Sequence, residues 1–363
     1  MQKVAIVHEW LSTFGGSERL LTQLLQIFPN ADIFALTYFP KNFQHTELNN
    51  IKVRTTFLQN IPSIERHYRK LLPIMPLAIE SLDVSKYDLV ISLSHAVAHG
   101  VKTHKNQMHI SYISTPMRYA WHMRDDYLKL HGLTHPFIRL AANGTLSLLR
   151  RWDASASARS DSLLANSKWT AQHIKEAWKR ESQVIYPPVD VHRFTPVSQR
   201  DNYYLLVSRL VPYKMANKIV KAFNKTGLPL VIVGDGPDLP AIRRIAKENI
   251  KLMGYQPDSA VTEIMNRAKA FVYMATEDFG IAMVEAQAAG CPVIAYGKGG
   301  AAEIVLDGET GILFSDQTEA GMVAAVLQFE SKALSSKAAS ENAARFSAER
   351  FRREFSEYVE RHL

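Results

Sequence analysis

Residues 275–290 hold two carboxylates, Glu277 and Glu285, set around a glycine and a run of small apolar residues. Glu277 follows the apolar run 271–274, which reads as a strand, so it stands at a strand's carboxyl end, where open α/β sheets bind ligands. Gly280 then begins a helix. A glycine lets a ligand approach the backbone, and the N–H groups of Gly280 and Ile281 at a positive helix end suit a phosphate. Glu285 lies further along that helix and leans back toward the same mouth, because helical side chains tilt toward the N-terminus. Two carboxylates oppose a neighbouring anion unless they bind hydroxyls, and sugar or ribose hydroxyls are the obvious ligands. Solvated helix acids would show the same spacing, but Met283, Val284, Ala286 and Ala288 make an unusually apolar setting for them.

Arg209 and Lys214 supply the complementary charge just past the run 204–207, again at a strand end. Arginine grips a diphosphate bidentately and lysine acts on it as a point charge. As a diphosphate leaves, such clamps stabilise charge that grows in the transition state. Glycine turns add weaker signals. Gly15-Gly16 follows the first strand, and Gly297-Lys298-Gly299-Gly300 is another strand-end turn. Gly234-Asp235-Gly236-Pro237 lacks the third glycine of the dinucleotide fingerprint, with Leu239 in its place, which disfavours a nicotinamide dehydrogenase.

The elements that must position these residues are legible from alternation. Apolar, β-branched runs at 4–7, 33–39, 89–93, 109–113, 163–165 and 184–186 alternate with amphipathic stretches, as do runs at 204–207, 230–233, 251–253, 271–274 and 293–295. That is the signature of parallel sheets covered by helices, here two doubly wound α/β domains. The first helix shows the stripe Leu20, Leu21, Leu24, Leu25 and Phe28 before Pro29. The Pro-rich, polar stretch 186–202 reads as an interdomain linker, giving domains at 1–195 and 196–340, with a helical tail at 341–363 that can return to the first.

At 363 residues the chain is long enough for two well-cored domains, and a single cysteine, Cys291, excludes a disulfide framework. No apolar run approaches the roughly 18 residues that cross a bilayer. Of the net charge of +8, residues 1–190 carry +7 (22 Lys+Arg against 15 Asp+Glu) and residues 191–363 carry +1 (21 against 20). A basic first half points to an anionic partner, and the absence of a basic run with interleaved aromatics argues against nucleic acid.

The Glu277–Glu285 pair, Arg209 and Lys214, the Gly-Asp-Gly-Pro turn, Ala289-Gly290-Cys291-Pro292-Val293-Ile294-Ala295 and Asp307-Gly308-Glu309-Thr310-Gly311 together closely resemble the retaining GT-B glycosyltransferases of family four. In the first half, His8-Glu9-Trp10, Gly15-Gly16-Ser17-Glu18, the Ser94-His95 segment, Thr115-Pro116-Met117-Arg118 and Tyr186-Pro187-Pro188-Val189-Asp190 resemble the bacterial mannosyltransferase branch of O-antigen and exopolysaccharide synthesis. The resemblance implies two Rossmann-like domains facing a central cleft, with an acceptor-binding first domain and a nucleotide-sugar-binding second one. Arg209 and Lys214 would hold the diphosphate with help from the Gly15-Gly16 backbone. Glu285 would bind the ribose, and Gly254 and Tyr255 would lie near the base. Glu277, with the backbone at Phe279, Gly280 and Ile281, would hold the donor hexose. Glu277, Arg209 and Lys214 are thus the expected catalytic set, and Glu18, His95, Ser114 and Arg118 the acceptor or donor-sugar side.

The implied reaction is metal-independent and needs no cofactor. It moves a hexose, mannose from GDP-mannose first and glucose from UDP-glucose next, to a lipid-linked or polysaccharide acceptor with retained configuration. One departure is Ser114, where the family commonly has a histidine before Thr-Pro. A degenerate GT-B binding protein and a nucleotide-sugar epimerase are the alternative readings. The expected location is the cytoplasm, with peripheral contact with the anionic inner face of the plasma membrane through the basic-then-apolar segments 66–79 and 137–152.

Overall fold

Runs of aliphatic residues become strands buried on both faces, as parallel sheets require. The computed structural model describes residues 2–125, 128, 132, 135–197 and 199–363. The chain divides into unit 1, Met1–Tyr186 with Arg352–Leu363, and unit 2, Pro187–Phe351.

In unit 1 the strands are β1 (Val4–Leu11), β2 (Asp32–Tyr38), β3 (Val53–Thr55), β4 (Leu89–Ser94), β5 (Met108–Ile113), β6 (Ser162–Ala165) and β7 (Gln183–Val184), in the order β3-β2-β1-β4-β5-β6-β7. Every pairing is parallel. In unit 2, β8 (Tyr204–Val207), β9 (Leu230–Val233), β10 (Ile250–Gly254), β11 (Ala270–Tyr273), β12 (Val293–Tyr296) and β13 (Gly311–Phe314) run β10-β9-β8-β11-β12-β13, again all parallel. In each sheet the order reverses direction beside the first strand, between β1 and β4 and between β8 and β11. Such a switch point opens a crevice at the strands' carboxyl ends.

The expected α/β class and the two doubly wound sheets are present, and two short strands, β3 and β13, join those expected from periodicity. The first helix, Gly16–Ile27, buries Leu20, Leu21 and Leu24. Ala5, Val7 and Val90 form one core cluster with Leu146 and Leu149 from helix Pro136–Ser157.

The units divide at Tyr186/Pro187, against an expected boundary at 195. The Pro-rich stretch is no loose linker. Val189 N–H donates to the Phe346 carbonyl at 2.9 Å, and Arg350 donates to the Pro187 carbonyl at 3.3 Å, which anchors the stretch on unit 2. Further on, Arg200 donates to the carbonyls of Asn266, Ala268 and Ala289. The tail forms helices Ser336–Ala343 and Ala348–His362, and from Arg352 on it belongs to unit 1, where Phe355 meets Phe28 at 6.5 Å. Among the described residues, no helix is long and apolar enough to cross a membrane.

Candidate functional site

Because β8 and β11 are neighbours at the switch point of unit 2, the turns that leave them converge. After β8 the chain passes Arg209, which is exposed, and makes a 3₁₀ turn over Pro212–Lys214. After β11 it reaches Glu277. Lys214 Nζ donates to Glu277 Oε1, and the Tyr273 hydroxyl donates to the same oxygen. Side-chain exposure is 17% for Lys214 and 14% for Glu277, so the pair is largely withdrawn from water but open at one edge. Lys214 Nζ also lies 5.7 Å from the Tyr273 ring. Burial, and then the neighbouring Glu277 carboxylate, push the Tyr273 phenol well above its ordinary value, so it is a fixed hydrogen-bond donor.

The Glu277 turn is braced by glycines. Gly300 N–H donates to the Glu277 carbonyl at 2.9 Å, and a Cβ on Gly300 would run into the Phe279 carbonyl. Gly280, at φ +109°, precedes helix Ile281–Ala288, and no side chain caps that helix start. The turn 234–237 braces the other half of the site. Leu210 N–H donates to the Asp235 carbonyl at 2.9 Å, and a Cβ on Gly234 would strike the Ser208 carbonyl. Its glycines therefore allow close backbone packing beside Arg209.

Glu285, inside the helix, has its own cation. Arg193 Nη2 donates to Glu285 Oε1 at 2.7 Å, and Arg193 Nη1 donates to Asp258 Oδ2 at 3.2 Å. The two carboxylates are thus each neutralised by a basic residue and belong to separate ion pairs. Gly254, at φ +66°, ends β10, and Tyr255 beside it is 78% exposed.

Unit 1 has a parallel construction at its own switch point. The fully buried Glu9 carboxylate, at the end of β1, accepts the backbone N–H groups of His95, Ala96, Val97 and Ala98 at 2.8–3.1 Å and the Ser94 hydroxyl at 3.0 Å. Burial raises the Glu9 carboxyl, but these N–H groups outweigh it and hold it ionised. His95, half-buried, lies edge-on to Trp10 at 4.8 Å; burial, with the Arg118 and Arg69 charges, disfavours its protonated form. Glu18, in the first turn of helix Gly16–Ile27, accepts the Gly15 N–H at 3.0 Å and the Ser17 hydroxyl at 2.9 Å. Burial raises its carboxyl to about 7. His8 Nε2 stands 3.8 Å from Glu18, and burial lowers that imidazole to about 4. Ser114 N–H donates to the Ser94 carbonyl at 2.8 Å, which fixes it at the end of β5.

Residues 190–346 match the family model described as glycosyl transferases group 1. Residues 190–346 thus carry a glycosyltransferase domain, and the chain as a whole has the fold of GT-B glycosyltransferases. An uncharacterised glycosyltransferase of Methanocaldococcus jannaschii is 24% identical over 86% of this chain and 84% of its own. A GDP-mannose-dependent phosphatidylinositol monomannoside mannosyltransferase of Mycobacterium tuberculosis is 30% identical over 45% of this chain, a match that spans 50% of that relative's length. Among solved structures, Anabaena HepE bound to UDP superposes with a TM-score of 0.70 at 18% identity, covering 99% of both chains. Sucrose-phosphate synthase of Thermosynechococcus elongatus gives 0.76 at 17% identity and the same coverage.

The structure joins Lys214 to Glu277 and sets Phe279, Gly280 and Ile281 directly after them. It puts Glu18 beside Gly15 and His95 within the field of Arg118. Sequence reasoning missed Tyr273, Arg193 and the anchoring role of Glu9. Tyr273 carries a weak signal, being a polar group at the end of a strand four residues before Glu277. Arg193 carries none, because its partner lies far along the chain.

Proposed function

We propose that the chain is a retaining hexosyltransferase that uses a nucleotide-diphospho-sugar, GDP-mannose first and UDP-glucose next. The supporting observation is the Lys214–Glu277–Tyr273 cluster at the switch point of unit 2, with Arg209 exposed beside it and an uncapped helix start after it. Glu277 offers a carboxylate oriented by two donors, suited to sugar hydroxyls. Arg209 and Lys214 take up charge on the departing diphosphate. The chain's own cations thereby serve where many transferases use a metal, and no cofactor enters the reaction. As the C1–O bond to the diphosphate breaks, the acceptor oxygen bonds to C1 on the face being vacated. Its proton passes to the leaving phosphate, giving the glycosylated acceptor and a nucleoside diphosphate with configuration retained.

The GDP-mannose preference is supported by the mycobacterial relative's donor, and the UDP-glucose alternative by HepE, which has been solved with UDP-glucose bound. Unit 1 is assigned a lipid-linked or polysaccharide acceptor of cell-surface glycan synthesis. In helix Pro136–Ser157, Phe137, Leu140 and Leu148 are 78%, 72% and 65% exposed, and Arg150 and Arg151 are exposed near its end. That face suits an anionic leaflet, with each basic residue contributing about 1 kcal/mol. The segment 66–79 contributes less than one interfacial helix would, being split into Ile64–His67, a 3₁₀ stretch Tyr68–Ile74 and Met75–Glu80.

Donor hydrolysis and thermal shift across GDP- and UDP-sugars test this reading. The expected result is stabilisation and turnover by GDP-mannose or UDP-glucose, both lost in Glu277→Ala and Lys214→Ala. Full turnover in both variants overturns it.

A further inference from the structure

We propose that Arg193 is a positioning residue that orients Glu285 and thereby sets the preference of the site for a ribonucleotide over its dideoxy counterpart. This rests on the assignment of Glu285 to the ribose.

The residues three and four positions from Glu285 along its own helix are Ile281, Ala282, Ala288 and Ala289, and none of these side chains can hydrogen-bond its carboxylate. Arg193 reaches the carboxylate at 2.7 Å, with both side chains mostly withdrawn from water at 17% and 15% exposure. Arg193 is itself held from three sides. Its other terminal nitrogen reaches Asp258 at 3.2 Å, and its guanidinium lies 4.7 Å over the Phe194 ring. Its backbone ends the 3₁₀ turn Val191–Arg193, which follows the stretch anchored at Val189 and Pro187.

A planar guanidinium on one carboxylate oxygen fixes the carboxylate plane, and with it the directions along which hydroxyls can be accepted. Orienting the acceptor before the ligand arrives removes an ordering cost from binding, and that saving is realised only by a ligand that has the hydroxyls. A bridge serving stability alone would be expected to satisfy the whole guanidinium. Here Arg193 Nε is buried with no hydrogen-bond partner among the described residues.

The test measures, by calorimetry, the affinity of the full chain for GDP and UDP and for their 2′,3′-dideoxy forms. Glu285→Gln should collapse the ribo-to-dideoxy ratio. Arg193→Ala should lower it by roughly tenfold while leaving dideoxy affinity within about twofold, and Arg193→Lys should lie between. A ratio unchanged in Arg193→Ala, including equal loss on both nucleotides, overturns the proposal when Glu285→Gln still collapses it. A ratio unchanged in Glu285→Gln as well removes the ribose assignment itself. If Arg193→Ala does not fold, Asp258→Asn, which releases one arm of Arg193 from an exposed position, decides the matter: a reduced ratio supports the proposal and an unchanged one overturns it.

Discussion

Replacing Lys214 by methionine keeps the length of the side chain and removes its charge, which leaves Glu277 a largely buried carboxylate supported by the Tyr273 hydroxyl. Removing one partner of a buried ion pair costs about 3–5 kcal/mol because the other charge stays uncompensated. With side-chain exposures of 17% and 14%, some screening remains, and about 2–3 kcal/mol is expected here. For a unit the size of Pro187–Phe351, each kcal/mol moves the melting temperature by about 2–4 °C, so the transition of unit 2 should fall by about 5–10 °C. Glu277→Gln should cost a similar amount, since it strands the ammonium. The double variant should recover most of this loss, because neither charge is left behind. Catalysis should follow a different rule. If Lys214 and Glu277 act on the donor, kcat/KM falls on the order of 10²–10³-fold in both single variants and stays low in the double. Scanning calorimetry beside transfer kinetics separates the two effects. A double variant that regains activity along with stability would show that the pair is a structural brace, and the assignment of both residues to the donor would be refuted.

Two further outcomes follow from the same geometry. Gly300→Ala places a methyl against the Phe279 backbone and should displace the Glu277 turn, costing about 1–3 kcal/mol and a larger share of kcat/KM than of donor affinity; unchanged kinetics would count against a rigid turn. The second concerns acid stability in unit 1. His109 is fully buried, with its ring 2.9 Å from the Ser92 hydroxyl and 3.3 Å from the Arg159 carbonyl, and burial lowers it to about 3. A folded value below the unfolded 6.5 means its contribution is complete above pH 6.5 and is lost as pH falls toward 3, about 2 kcal/mol of it by pH 5. Glu18, raised to about 7 by burial, has the opposite sign: its contribution is present below its unfolded value near 4.5 and fades as pH rises to 7. Urea unfolding at pH 8 and pH 5 should therefore show His109→Gln losing less stability on acidification than the parent and Glu18→Gln losing more, and equal slopes would contradict both assignments.

Much of this was legible along the chain. The strands 204–207 and 230–233 appear with the expected bounds, and Gly280 starts the expected helix, because continuous apolar runs and a glycine before an apolar stretch are local signals. The strands β3 and β13 were not legible: Val53-Arg54-Thr55 is short and mixed in polarity, and Gly311–Phe314 follows a turn-rich stretch that masks it. The prolines at 187 and 188 suggested an interdomain linker because proline marks turns locally. Whether such a segment is tethered depends on what lies beside it, and here that is Phe346 and Arg350.

The sequence by itself determined the α/β class, the parallel strands and which residues stand at their carboxyl ends, since each depends on composition and period over a few neighbours. Partnership was decided only by the tertiary structure. Strand order puts β8 beside β11, so Lys214 meets Glu277, and the anchored entry segment carries Arg193 to Glu285. Periodicity holds no information about which strand end neighbours which. That choice is made by the crossover connections and the burial they jointly satisfy.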